Sequence, residues 1–425
     1  MKRRIAVLGN GWAFEFSNSI LEGIKKASDG IDTDVFYFTC YRFHNPDKSI
    51  NTTGYRCFDF IDYTQFDGII LLSNLFEDDQ ALFRVSEKIK QLKIPAVSLV
   101  RKIDGFSFIH VDNFIGYYQL INHLIEKHNV KKLAFVGGIK NDVQSEERYN
   151  AYKKALAEHN LPEDEHFVVR NTDWSFKAGY EEGLKLFSDR NNFPDAVVCS
   201  NDVIAFGVIR AAYDYNLMIP KDVKIVGFDN LKMAERALPS LSTVNTNSEE
   251  MGIKEVELLF SKDREIKDIT INSEPVFRQT CGCASELTHE QHLHSIKSLL
   301  VQDEEERFST HLRHTEGIFI NDDNFHMFWE GCQNFFVTRH EFEGDNFAIM
   351  VKKDLVNSII YDGYEYNDSI KNCDLQVLVS IKDGEKYKPS IIKTGELLPP
   401  ELEAEGSNIF LIIPLVYKEN VYGYY

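Results

Sequence analysis

From Arg4 to about Cys283, short apolar runs alternate with amphipathic stretches, and this alternation constrains the fold more than any other feature. The runs IAVLG (5–9), DVFYFTC (34–40), GIILLS (68–73), AVSLV (96–100), KLAFVG (132–137), AVVCS (196–200) and KIVGF (224–228) are continuous and largely β-branched or aromatic. Strands buried on both faces read this way. Between them, Asn18–Ala27, Gln80–Leu92, Gly116–Lys127, Glu146–Glu158, Ser175–Phe187 and Ala205–Tyr215 carry apolar residues at helical spacing. Strand, helix, strand in this order predicts an α/β protein of doubly wound parallel sheets. The span is long for one sheet, so two lobes are expected.

Within it, Val197–Asn245 is the most telling stretch. Ser200, Asn201 and Asp202 follow one buried strand, and Asp229 and Asn230 follow the next. In a parallel sheet both sets leave the same carboxyl edge, where open α/β proteins bind ligands. Asp202 and Asp229 could act as paired carboxylates in acid–base chemistry. The asparagine beside each favours hydrogen bonding to ligand hydroxyls instead.

Composition narrows the function. The chain has 425 residues, too many for one typical domain, and 43% of them are hydrophobic, enough for sizeable cores. Its 47 Lys and Arg against 66 Asp and Glu leave a net charge of −19, which argues against a chain that grips nucleic acid by its phosphates. Seven scattered cysteines suit a reducing compartment better than a disulfide framework. No run is long and apolar enough for a transmembrane helix, and the apolar run after MKRR ends at Gly9, short of a secretory leader. A cytoplasmic location is expected.

Three motifs invite chemistry and are set aside. Gly9-Asn10-Gly11 follows the first strand, but the third position of a dinucleotide-binding turn is Phe14, and the second strand ends without an acidic residue. The bland reading is a turn that sets Asn10 among Trp12, Phe14 and Phe16, a wall suited to stacking on a sugar or base. His289, His292 and His294 in HEQHLH lack the H-E-x-x-H spacing of a helical zinc protease and read as solvated. Cys281 and Cys283 form C-x-C, not the C-x2-C of zinc knuckles, so no metal and no cofactor are expected.

The character changes after Cys283. Residues 284–315 read as a polar linker helix, with Leu293, Ile296 and Leu300 on one face. Then FAIMVKKD (347–354), LQVLVSIKDG (375–384) and NIFLIIPLVYKENVYGYY (408–425) read as antiparallel strands, with KDG and KEN at hairpin turns. An α+β domain over 316–425 is expected. Because the sequence stops on VYGYY directly after a strand pattern, a longer protein is expected.

Motif order across the first two-thirds of the chain resembles the effector-binding core of lactose- and purine-repressor-like regulators, itself similar to periplasmic sugar-binding proteins. The stretch SND-x4-G…IP-x-D-x2-I-x-GFD (200–229) resembles that family's signature. FDGIILLS (66–73), IPAVSLVRK (94–102), VDNFIGYYQLINHLIEKHNVKKLAFVGG (111–138) and ERYNAY (147–152) resemble its other blocks, in family order. The resemblance implies two lobes, about 1–112 with 247–268 and about 113–246 with 269–283.

It also implies ligand contacts. Arg148, Trp174, Asn201 and Asp229 fall at ligand-binding positions of the second lobe, with Asp202 beside them. Asn10, Trp12, Phe14 and Phe16 would close the pocket from the first lobe, where Arg101 matches the arginine of the IDR strand. A sugar or nucleoside is the implied ligand, and a homodimer the implied assembly. Val100 stands where the family has Asp, and Asn150 replaces a small residue, which loosens any inference about ligand identity.

Family repressors carry a helix-turn-helix before this core, whereas three residues precede the first strand here. The expected output therefore lies beyond Cys283, and no direct nucleic-acid or membrane contact is expected of this segment. Residues 347–425 resemble a GAF-type sensory domain, PLVYKENVYGYY (414–425) fitting its late strands. Such sensors resemble the input halves of diguanylate cyclases, histidine kinases or regulators with a carboxyl-terminal DNA-binding domain. A non-enzymatic ligand sensor is the expected function of 1–425. The alternatives are a transport-type binding protein, which would need export, and an NAD-dependent oxidoreductase.

Overall fold

The computed structural model describes residues 2–10, 15–40, 55–59, 61–76, 78–261, 265–284, 347–352, 374–382, 385–387, 390–393, 398–402, 409–412, 414–417 and 420–424. In chain order, β1 (Arg3–Asn10), α1 (Glu15–Asp29), β2 (Thr33–Cys40), β3 (Gly68–Leu71), α2 (Asp79–Leu92), β4 (Ala96–Leu99) and β5 (Ser107–Val111) come first. Next come α3 (Ile115–His128), β6 (Leu133–Val136), α4 (Val143–Glu158), β7 (Val168–Val169), α5 (Phe176–Leu186), β8 (Ala196–Cys199), α6 (Asp202–Asp214) and β9 (Lys224–Val226). Then follow α7 (Lys232–Arg236), β10 (Thr243–Asn245), α8 (Ser248–Leu259), β11 (Asp268–Ile271) and β12 (Glu274–Val276). The last group is β13 (Phe347–Lys352), β14 (Leu375–Lys382), β15 (Glu385–Lys386), β16 (Ile391–Ile392), β17 (Ile409–Ile412), β18 (Pro414–Tyr417) and β19 (Asn420–Tyr424).

The chain divides into two compact units. One gathers the described residues of Met1–His110, Met251–Ile269 and Ser309–Tyr425, the other those of Val111–Glu250 and Thr270–Phe308. The first unit holds a seven-stranded sheet in the order β11-β5-β4-β3-β1-β2-β17, parallel from β5 through β17. The expected α/β class holds here. β13–β16, β18 and β19 make a separate antiparallel sheet. Lys382 pairs with Glu385 and Tyr417 with Asn420, so the strands flanking both expected turns pair antiparallel. β17 departs from the expected self-contained α+β domain, because it pairs with β2 of the first sheet. Its IFLI run suits such an edge: Phe410 stacks on Phe36 at 4.9 Å. The expected linker helix and the HEQHLH histidines lie outside the described residues.

The second unit is built on a four-stranded parallel sheet, β7-β6-β8-β9. Successive side chains of a strand point to opposite faces, and here both faces are covered. Ala134, Val136, Val197 and Cys199 enter a core with α5 and α6, while Leu133, Phe135, Ala196 and Val198 enter one with α3 and α4. Each fully buried Val or Phe in these cores contributes about 1.5–3 kcal/mol relative to exposure. α5 and α6 cross at glycines: a Cβ on Gly207 would lie 2.2 Å from Phe176 O, and one on Gly179 2.2 Å from Ile204 O. Among the described residues, no helix is long and apolar enough to cross a membrane.

Candidate functional site

Near the carboxyl edge of the second unit's sheet, four loops and the start of helix α4 bring polar and aromatic groups to one place. Arg148, in the second turn of α4, is the hub and is only 3% exposed. Its Nε and Nη2 donate to Asn113 Oδ1 at 3.1 and 2.8 Å, and its Nη1 donates to Ser200 O at 2.6 Å. The guanidinium carbon stands 3.7 Å from the Phe228 ring centroid and 5.6 Å from that of Trp174. Such cation–π contacts strengthen when desolvated. Burial pulls the Arg148 pKa down, and Asp229, 4.0 Å away, opposes that shift.

Asp229 is the anionic partner. Burial pushes its carboxyl up to about 6, and Arg148 holds it from rising further. Its backbone sits at φ 111°, with Asn230 at 54° and Trp174 at 66°. Non-glycine residues in this region cost of order 1–3 kcal/mol each and collect where function requires them. Gly138 explains how the indole fits, because any Cβ there would lie 2.2 Å from the Trp174 ring.

Two other expected contacts have different work. Asn201 caps α6: its Oδ1 accepts from Ile204 N at 2.7 Å, and its Nδ2 donates to Trp174 O at 3.2 Å. It therefore positions the tryptophan loop. Asp202 is fully buried; it accepts from Leu231 N at 2.9 Å and from Thr243 Oγ1 at 2.6 Å. As a first-turn residue of α6 beneath the β9 loop, Asp202 ties β10 to that loop. Burial, with Asp229 nearby, pushes its carboxyl well above the usual range. Asp202→Ala should cost about 2–4 kcal/mol, the removal of a buried acceptor from two donors. Asp202→Asn should cost much less in a urea melt, since Nδ2 can give its hydrogen to Thr243 while Oδ1 keeps Leu231. Equal losses would show that the ionised form is the one that holds the loop.

The first-unit residues are placed as follows. Asn10, at the end of β1, is buried and donates from Nδ2 to Tyr55 Oη at 2.9 Å. Phe16 lies half-buried on α1, while Trp12 and Phe14 fall outside the described residues. Arg101 donates to Asp79 Oδ1 at 2.6 Å and to Phe76 O at 3.3 Å, anchoring the start of α2. Before it, Val100 takes φ 67°, a strained conformation for a β-branched residue.

Residues 121–281 match the family model of the periplasmic binding protein-like domain. Over 232 residues the chain is 32% identical to the HTH-type transcriptional regulator MalR of Clostridium butyricum, covering 52% of this chain and 67% of that regulator. The chain belongs to the LacI family. It does so through its periplasmic-binding-protein-like effector domain. Solved LacI-type folds agree. The transcriptional regulator CelR in its cellobiose complex superposes with a TM-score of 0.54 at 23% identity, over 66% of this chain and 85% of that one. The LacI-family regulator CCPA from Weissella paramesenteroides, with bound sucrose, gives 0.55 at 21%, over 67% and 100%. At these identities the structures speak for the fold alone. The matched stretch spans 57–70% of the length of the first curated relatives.

One site residue of this LacI-family chain escaped sequence reasoning. Asn113 binds Arg148 through Oδ1 and donates from Nδ2 to Glu147 at 2.8 Å, thereby fixing the guanidinium plane. The signal was present: Asp112-Asn113 directly precedes α3 in the VDN block.

Proposed function

We propose that this chain is the sensory part of a LacI-family regulator, binding a small polar ring compound, a sugar or nucleoside, at the carboxyl edge of the second unit. The observation that carries this is the convergence of the Arg148 guanidinium, backed by the buried Phe228 ring, with the Asp229 carboxylate and the Trp174 ring. Such a set offers directed donors, acceptors and apolar area to a hydroxylated ring. Cellobiose and sucrose in the two similar structures support a sugar. No cofactor enters, and the module is not an enzyme. Its output passes to the part of the protein beyond Cys283, it acts as a cytoplasmic homodimer, and this segment makes no direct contact with nucleic acid.

A thermal-shift panel of mono- and disaccharides, nucleosides and reduced nicotinamide tests the reading. A saturable rise for one sugar or nucleoside class, without turnover, is expected. At a hundredfold excess over Kd the gain is about 2.7 kcal/mol. A response to the nicotinamide alone, or to none of these, would sink it.

Asp229 gives the binding a pH dependence. Its carboxylate is the form that accepts from hydroxyls, so affinity should climb as pH rises through about 6 and then level off. On the acid side each pH unit costs about tenfold, or 1.36 kcal/mol. The stability of the free protein runs the other way: the raised pKa adds stability below the unfolded value of about 4, lost as pH rises to about 6. Asp229→Asn should flatten both curves, read by calorimetric titration and urea melts from about pH 5 to 8. Unchanged curves in the variant would assign the ionisation elsewhere.

A further inference from the structure

At the far end of α3 the second unit gathers His123, His128, Cys281 and Cys283, whose ring nitrogens and sulfurs all lie within 4.8 Å of one another. His123 Nε2 is 3.1 Å from His128 Nε2 and 2.9 Å from Cys283 Sγ, and His128 Nε2 is 3.3 Å from the same sulfur. Ordinary hydrogen bonds serve this triangle poorly. A neutral imidazole nitrogen holds either one hydrogen or one lone pair, directed along a single in-plane line. Here each Nε2 faces two partners at once. A central cation instead takes one lone pair from every member.

We infer that these four side chains form a structural zinc-class metal site, Cys2His2, which staples the turn carrying Cys281–Cys283 to the carboxyl end of α3. Metal–nitrogen bonds of 2.0–2.1 Å and metal–sulfur bonds of about 2.3 Å in a tetrahedron require donor separations of about 3.3–3.8 Å. The three spacings among His123, His128 and Cys283 are tighter than this, while Cys281 Sγ stands within 4.8 Å of the other donors, so an ion would open the triangle as it takes up the fourth ligand.

The local backbone is shaped for convergence. Gly282, at φ 98°, turns the two cysteines toward one point, and a Cβ there would approach His128 Cε1 to 3.4 Å. Cys281 N donates to Ser242 Oγ at 3.2 Å, and the Sγ–H of Cys281, now on Arg278 O at 3.3 Å, is the proton a metal would displace. Phe277 stacks on the His123 ring at 3.9 Å, fixing its plane. Thiolate and imidazole together select zinc over hard cations, and four protein ligands leave no open position, so the site is structural rather than catalytic. The two histidines come from a helix more than 150 residues earlier in the chain, a separation that no local cysteine spacing records.

The test is a cobalt(II) titration of the full chain, purified under reducing conditions and stripped by chelator. One cobalt per chain should bind, with the visible d–d bands of tetrahedral coordination and a near-ultraviolet thiolate charge-transfer band, both erased by zinc. Cys283→Ser, at an exposed position that circular dichroism should show folded, must lose thiolate intensity, and His128→Ala must weaken binding. Octahedral or absent cobalt bands, or a thiolate band unchanged in Cys283→Ser, would overturn the site. Because none of the four residues touches Arg148 or Asp229, failure here leaves the effector-binding reading intact.

Discussion

Replacing Arg148 with alanine should abolish ligand-induced thermal stabilisation and also weaken the free protein. The guanidinium is shared among Asn113, Ser200 and Asp229 and lies on the Phe228 ring, so truncation removes several partners together. Removing one member of a buried pair typically costs about 3–5 kcal/mol, since the other charge stays behind. The sign with pH follows. Without Arg148, nothing opposes the burial that raises Asp229, so its ionised form becomes more costly and the deficit grows as pH rises. Urea melts at about pH 5 and pH 8 would read this, the loss being larger at the higher value. Retained ligand stabilisation in a folded Arg148→Ala protein would remove Arg148 from the site.

The second large effect concerns packing. Gly207→Ala places a Cβ 2.2 Å from Phe176 O, 2.5 Å from Tyr180 N and 2.8 Å from Gly179 C, all backbone atoms of α5. No rotamer can relieve this, so the helices must separate and both faces of their contact lose burial. A loss of more than about 4 kcal/mol, or failure to fold, is expected. Gly183→Ala should be milder, since it meets the Ala211 methyl at 2.6 Å but backbone only at 3.2 Å. If Gly207→Ala lost less than about 1 kcal/mol, the close crossing would be wrong.

The alternation of buried runs and amphipathic helices was enough to reach the parallel sheets, because strands buried on both faces and helices buried on one leave distinct periods. β5, β7 and β10–β12 were not visible. Most of them mix apolar residues with Ser107, His110, Thr243, Asn245, Asp268 or Glu274 and so give no continuous apolar run, and β10 and β12 pair with each other. In helix α8 the acidic first turn, Ser248-Glu249-Glu250, masks the apolar residues Met251, Val256 and Leu259 in the sequence pattern.

Site residues were legible as types and places, less so as tasks. Arg148 and Asp229 meet at one sheet edge, Asp229 as its place after a buried strand implied and Arg148 as the family resemblance implied. Asn201 and Asp202 share that edge, yet a helix N-cap consumes the first and a tertiary tie the second. Asn113 shows the reverse case, a side chain whose role depends on a partner 35 positions away. The histidine–cysteine cluster was hidden for the same reason, since spacing rules see only ligands close in sequence.

The central claim is that Arg148 and Asp229 read a bound polar solute at the second unit's sheet edge. A crystal structure of the chain with the compound giving the largest thermal shift tests it most directly. The account predicts ring hydroxyls on the Arg148 guanidinium and the Asp229 carboxylate, with the Trp174 ring against the solute. A solute bound elsewhere, touching neither charge, would contradict it.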